Sequence, residues 1–152
     1  MRLQIENQER KLDVLFTTIT AVKDDELKAH LSKYFCVRIS GYLENVIKLL
    51  VSNYSEGSSP RAVSNYLQND LKSVTNLSEE KMLRVLAKFS EDWSADFTER
   101  VTEQQMQSLN SIVSNRNSIA HGQQDNISHK VIKQYYDDLK QIVLILKDII
   151  KK

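Results

Sequence analysis

The chain has 152 residues, with 21 Lys and Arg against 20 Asp and Glu, and its formal net charge is +1. This balance excludes a protein that coats nucleic acid through bulk charge, so any RNA contact must come from a local basic site. Three glycines and one proline leave few positions that break a helix, and strand-like alternation is absent. We therefore predict an all-α protein, an up-and-down helical bundle with additional short helices, in a single domain over residues 1–152.

Several features bear on location and on metal chemistry. Residues 1–11 are polar and charged, and the longest apolar run is far too short to span a bilayer. We therefore expect a cytoplasmic protein that does not bind membranes. The single cysteine, Cys36, lies in an apolar run and is expected to be a small buried side chain. The cysteine and the three histidines have no zinc-ligand spacing, so no metal site is expected.

Apolar spacing predicts two helices around one long central helix in the first half of the chain. The first covers residues 3–20, within an N-terminal segment, 1–22, whose packing against the bundle is left open. A further helix over 60–74 follows the polar stretch 54–59, with Ser59 as its N-terminal cap. Its inward-facing side chains should be Val63, Tyr66, Leu67, Leu71 and Val74.

The long helix, predicted over residues 25–53, has the widest apolar face and should be the most buried element. Gly41 lies in its middle, where Gly costs about 1 kcal/mol relative to Ala; a close helix crossing or a nearby ligand would explain it. Arg38 and Glu44 each allow two interpretations: a place at a cleft beside Arg116, or a buried ion pair. In either case Glu44 is the preferred carboxylate to orient Arg116, through two-point pairing with its guanidinium.

Short helices are predicted next, before a longer one that carries unusual polar residues. Ser78 should cap a helix over 79–90, and apolar spacing continues to about residue 100. Thr102 then starts a helix, with Gln105 placed to complete a capping box. Apolar residues recur along one side of this helix at Met106, Leu109, Ile112, Val113, Ile119 and Ala120, and Gly122 is a natural stop.

Arg116 is the anomaly of this helix, because helical spacing places it on or beside the apolar stripe. A guanidinium there needs a partner or an adjoining polar cleft. Asn117 and His121 are four residues apart and share a face. An arginine, an amide and a titratable imidazole at one rim could bind a phosphate and move protons. Spacing alone equally allows a paired structural Arg116 and a His121 that caps the helix C-terminus.

The last helix is predicted from Ser128 to about residue 150, antiparallel to the Arg116 helix across a short turn. His129 and Lys130, near its start, could contact RNA. A solvated helix start explains these two residues as well.

The stretch Arg116–Gly122, with the sequence RNSIAHG, resembles the RxxxxH signature of the HEPN superfamily. The wider pattern is similar to the RiboL-PSP branch of that superfamily. It includes a helix like the segment Arg38–Glu44, and a Phe/Trp segment like Phe89 and Trp93. This resemblance extends from about Leu27 to the C-terminus.

The resemblance implies an endoribonuclease that needs no metal or other cofactor and uses the 2′-hydroxyl of RNA as nucleophile. Arg116 would stabilise charge on the phosphate, His121 would transfer protons, and Asn117 would position the phosphate or the imidazole. It also implies a homodimer that brings two such helices together. Its biological role would be that of a toxin or phage-defence effector, restrained by an antitoxin such as a nucleotidyltransferase-like protein. Some HEPN proteins lack the signature and act as non-catalytic interaction modules, which is the alternative.

Overall fold

The computed structural model describes residues 1–123 and 127–151, and these residues form seven helices. The all-α prediction is confirmed. The helices are α1 (Arg2–Thr20), α2 (Asp25–Glu56), α3 (Arg61–Leu71), α4 (Glu79–Phe89), α5 (Glu91–Arg100), α6 (Glu103–Ala120) and α7 (His129–Ile149).

Helices α1 and α2 form an antiparallel hairpin. The Tyr42 hydroxyl donates to the Glu9 carboxylate at 2.9 Å, and the rings of Phe16 and Phe35 lie 5.3 Å apart nearer the turn. One side of α1 is fully enclosed, with exposed fractions of 0–2% at Ile5, Leu12 and Ile19. The N-terminal helix, whose packing the sequence left open, therefore contributes to the hydrophobic core.

Helix α7 packs against three other long helices. Ser108 on α6 donates to the buried Asp138 carboxylate on α7 at 2.5 Å. The two residues lie at similar distances along the chain from the α6–α7 connection, as expected for antiparallel neighbours. The Tyr136 ring meets Phe35 of α2 edge-on at 5.0 Å, and its hydroxyl donates to Asp13 of α1 at 2.5 Å. The core thus lies mainly among α1, α2, α6 and α7, and buried side chains of α4 and α5 extend it.

Helix α3 departs most from the sequence-based prediction. It begins at Arg61 and no side chain caps its first amides, so the predicted Ser59 cap is wrong. Val63 and Tyr66, expected to face inward, are exposed, Tyr66 to 70%. The reason is that α3 packs mainly against one helix, α2, so a narrower side of α3 is buried than its apolar spacing predicted. The preceding helix, α2, also continues to Glu56, three residues beyond its predicted end.

Gly41 does not mark a close helix crossing. The residue is exposed, and within residues 1–123 and 127–151 a Cβ added to it would meet no heavy atom within 4 Å outside its own helix. It lines a surface groove of about 340 Å³ between α1 and α2, together with Lys11 and Arg38. In the parts of the chain that the structure describes, no helix has both the length and the apolar character needed to cross a membrane.

Candidate functional site

Both ends of α6 are fixed by local hydrogen bonds, and these set the position of the residues Arg116, Asn117 and His121. At the start, the Thr102 hydroxyl accepts from the Gln105 amide at 3.1 Å, and the Gln105 side chain accepts from the Thr102 amide at 3.0 Å. This capping box is the one predicted from the sequence.

At the C-terminal end of α6, Gly122 adopts a left-handed conformation with φ of 71°. The Gln123 amide donates to the Ser118 carbonyl at 2.9 Å, and the Gly122 amide donates to the Ile119 carbonyl at 3.1 Å. These two bonds make a Schellman ending, which only glycine enters without steric cost. His121 is the C-cap residue just before it.

Arg116 is half-buried, and its Nη1 donates to the Asn76 side-chain oxygen. Asn76 lies in the segment between α3 and α4, with φ of 54°, also left-handed. Its backbone amide donates to Oε1 of Glu44 at 2.9 Å, and Glu44 on α2 is only 9% exposed. A chain of contacts therefore runs from α6 through the α3–α4 connection to the buried face of α2.

The predicted direct pairing of Glu44 with Arg116 is wrong. No ion pair joins these two described residues, because Asn76 lies between them and bonds to both. The alternative of a buried ion pair at Glu44 is wrong as well, since its carboxylate accepts from a neutral backbone amide. Glu44 thus reaches Arg116 through Asn76.

Arg38 is not part of this arrangement, so both interpretations of it are wrong. The side chain is exposed, its Nη1 donates to the Tyr34 hydroxyl at 2.7 Å, and its guanidinium lies 5.6 Å from the Tyr34 ring centre. Arg38 and Glu44 are six residues apart on α2, which places them about 120° apart around the helix axis. Arg38 consequently faces the α1 side, while Glu44 faces Asn76.

Asn117 and His121 are both exposed near the end of α6. The backbone amide of His121 donates to the Asn117 carbonyl at 3.0 Å, in the last turn of the helix. Their side chains are accessible to a ligand, whereas the Arg116 guanidinium is partly committed to Asn76. The arrangement offers an anchored cation and an accessible imidazole five residues apart on one helix, which together can attract a phosphate and transfer a proton.

The His129 side chain is not available for an RNA contact, because it already contacts α1. Its Nε2 is 2.8 Å from the Thr20 hydroxyl, and its ring lies 4.7 Å from the ring of Phe16. Burial, together with the positive charge of Lys28, lowers the pKa of His129 below its ordinary value. The residue therefore joins α7 to α1, and of the predicted pair only Lys130 is exposed to solvent.

Cys36 is fully buried, as expected, and its Sγ lies 3.7 Å from the Ile112 carbonyl. Burial raises the pKa of the Cys36 thiol to about 12, which makes it a poor nucleophile. Among the described residues, no group of three or more His, Cys, Asp and Glu side chains is arranged to hold a metal ion.

Asn76 is the residue of this site that sequence reasoning missed. In this part of the chain the sequence predicts only that the preceding helix ends at about residue 74. Asn adopts the left-handed conformation more readily than most residues, so an Asn directly after a helix is a weak local signal for such a turn. Nothing in the sequence indicates that its side chain meets Arg116, which lies 40 positions away.

Comparisons with known proteins add one finding. The family model RiboL-PSP-HEPN matches residues 3–152, which includes α1 as well as the part of the chain in which the resemblance was seen. No curated protein and no solved structure matches the sequence. Because the match covers nearly the whole chain, this protein belongs to the RiboL-PSP-HEPN family.

Proposed function

We propose that this protein is an endoribonuclease that cleaves RNA without a metal ion, using Arg116 and His121. Membership of a HEPN family supports the proposal, since HEPN domains are frequently ribonucleases. The observation that carries it is the α6 ending, where an anchored half-buried Arg116 precedes an exposed Asn117 and an exposed His121.

The chemistry assigns a role to each residue. The 2′-oxygen of a ribose attacks the adjacent phosphorus while the bond to the 5′-oxygen of the next nucleotide breaks, so negative charge builds on the phosphate oxygens. Arg116 stabilises that charge, and Asn117 helps to hold the phosphate. His121 takes the proton from the 2′-hydroxyl or gives one to the leaving oxygen, the acid and base roles that an imidazole commonly performs in catalysis.

One His in each copy of the signature supplies one proton carrier, whereas the reaction needs both a base and an acid. We therefore propose a two-fold homodimer in which two α6 ends face one groove, so that each subunit contributes one His121. Sedimentation at micromolar concentration tests this assembly. A protein that is monomeric under all conditions would contradict the dimer. Mixed dimers that remain fully active with one inactive subunit would contradict the shared site but leave the dimer standing.

The reaction is tested with a DNA strand that contains a single ribonucleotide, incubated with the protein in EDTA. The proposal predicts cleavage after the ribonucleotide, with a 2′,3′-cyclic phosphate or a 3′-phosphate on the product, and no cleavage of the all-DNA strand. Single-stranded substrate is chosen because an unstacked nucleotide can bring its 2′-oxygen in line with the leaving oxygen. Loss of cleavage in EDTA, or cleavage of the all-DNA strand, would contradict the mechanism.

The family resemblance also supports a proposal for the biological role. We propose a toxin or phage-defence effector, restrained by an antitoxin such as a nucleotidyltransferase-like protein. Expression of the wild-type chain alone should then arrest bacterial growth, and His121→Ala should relieve the arrest. Growth arrest that is equally strong with His121→Ala would separate toxicity from RNA cleavage.

One observation favours a second candidate function. The Arg116 guanidinium is already bonded to Asn76, which is what a purely structural arginine would do. In that case the protein is a non-catalytic HEPN interaction module. The two candidates differ in the ribonucleotide assay, where an interaction module leaves the substrate intact.

A further inference from the structure

We propose that Asn76 is a positioning residue that aims the Arg116 guanidinium at the scissile phosphate, and that the buried Glu44 carboxylate holds Asn76 in place. This role rests on the ribonuclease function proposed above. It goes beyond that function by adding two residues, from α2 and from the α3–α4 connection, that lie outside the RNSIAHG stretch.

The backbone at Asn76 is held on both sides. Its amide donates to the Glu44 carboxylate at 2.9 Å, and its carbonyl accepts from the Ser78 amide at 2.8 Å. Leu77, next in the chain, is only 1% exposed and anchors the segment in the core. Among the described residues, Asn76 is the only non-glycine with positive φ. Such a conformation persists where the surroundings determine it, and here a buried carboxylate does so.

The Asn76 side chain suits a guanidinium better than a carboxylate would. A guanidinium only donates hydrogen bonds, so the Asn76 oxygen must face Arg116. This neutral acceptor orients Arg116 and leaves its positive charge uncompensated, whereas Asp at this position would form an ion pair and weaken the attraction for phosphate. Arg116 has further N–H donors beyond the one that Asn76 accepts, and these remain for the substrate.

Asn76 also separates the carboxylate of Glu44 from Arg116, because it bonds to both. The Oε1 of Glu44 accepts from the backbone amide of Asn76, so Glu44 holds the loop without pairing with the catalytic cation. When the long, flexible Arg116 side chain is held in place before the substrate binds, less conformational entropy is lost on reaching the transition state. This explains why a glutamate is buried at 9% exposure close to an arginine that it does not pair with.

The first test is Asn76→Gly, because glycine retains access to positive φ and removes only the side chain. We expect kcat on single-stranded RNA to fall about 10- to 100-fold, the effect of a misplaced catalytic group, with little change in KM. Asn76→Asp should also lower the rate by pairing with Arg116. Circular dichroism and the urea unfolding midpoint should show that Asn76→Gly remains folded.

The second test separates positioning from general support of the fold. In an Arg116→Ala background, Asn76→Gly should cause no further loss of the residual rate, because the side chain acts only through Arg116. Glu44→Gln, which keeps an oxygen for the Asn76 amide, should retain most of the activity, while Glu44→Ala should lose it. Rate losses that multiply in the double variant, or an unchanged kcat in Asn76→Gly, would overturn the proposal.

The third test distinguishes failure of this inference from failure of the proposed function. If the wild-type protein does not cleave RNA, the ribonuclease proposal falls, and the orientation of Arg116 is then read by ¹⁵N NMR of its guanidinium. The Arg116 signal is assigned by its absence in Arg116→Lys. Asn76→Gly should speed hydrogen exchange of the Arg116 guanidinium protons; an unchanged exchange rate would show that Asn76 does not hold the side chain.

Discussion

Two glycines test how backbone conformation affects stability, because both have open space around them but only one has a positive φ. Among the residues that the structure describes, no heavy atom lies within 4 Å of a Cβ added to Gly41 or Gly122, but Gly122 has φ of 71° and Gly41 is in the middle of α2. Gly41→Ala should therefore gain most of the helix-propensity difference, about 0.8–1 kcal/mol in the free energy of unfolding. For a chain of this size the melting temperature should rise by about 2–4 °C.

Gly122→Ala should have the opposite sign. A left-handed conformation costs an L-residue about 1–2 kcal/mol, and the open space around Gly122 does not remove that cost. Urea unfolding followed by far-UV circular dichroism measures both variants, and the dependence of the free energy on urea should stay unchanged. A neutral or destabilising Gly41→Ala, or a stabilising Gly122→Ala, would show that backbone conformation does not decide the sign of these stability changes. The first result would also restore a packing or ligand role for Gly41.

Two further predictions concern buried polar groups. Ser108→Ala should lower the free energy of unfolding by about 1–3 kcal/mol, measured by urea unfolding. The reason is that, from the described part of the chain, the buried Asp138 carboxylate would keep only the long contacts from Gln104 at 3.4 Å. His129 should make the stability of the fold depend on pH. Its pKa is lowered in the folded state, so the unfolded chain binds the proton more readily. Stability is therefore lost as pH falls below about 6.5, the ordinary pKa of histidine. Melting temperatures of His129→Gln between pH 7 and pH 5 should fall less steeply than those of the wild type; equal slopes would contradict the assignment.

Helix α6 was predictable from the sequence because the signals at its ends are local. The Thr102 and Gln105 side chains bond to amides within three residues, and Gly122 completes a turn with residues of the same helix. Periodicity also placed Arg116 beside the apolar stripe, and the structure shows it half-buried. Such features depend on neighbours in the chain and require no knowledge of the fold.

The partners of the site residues could not be predicted in the same way. Periodicity identifies which residues share a helix face, but it does not say which neighbouring element that face meets. Glu44 was therefore assigned to Arg116 directly, although the α3–α4 connection brings Asn76 between them. The same limit explains His129, which turns towards Thr20 and Phe16 of α1.

The α3 prediction failed for a related reason. Its apolar spacing is that of an amphipathic helix, but α3 packs mainly against the single helix α2. Val63 and Tyr66 consequently remain exposed although they continue the apolar pattern. Sequence periodicity gives the direction of an apolar face, while the area that is covered depends on how many elements pack against it.

Cleavage rates of variants on single-stranded RNA in EDTA measure whether Arg116 and His121 cleave RNA without a metal ion. Arg84→Ala and His30→Ala are the matched controls, since both residues are exposed and lie outside the α6 ending. We expect Arg116→Ala and His121→Ala each to lose about 100-fold or more, with Arg116→Ala losing at least as much, while the controls keep the wild-type rate. If the wild type cleaves in EDTA and His121→Ala leaves the rate unchanged, His121 takes no part in the reaction and the proposed mechanism is wrong.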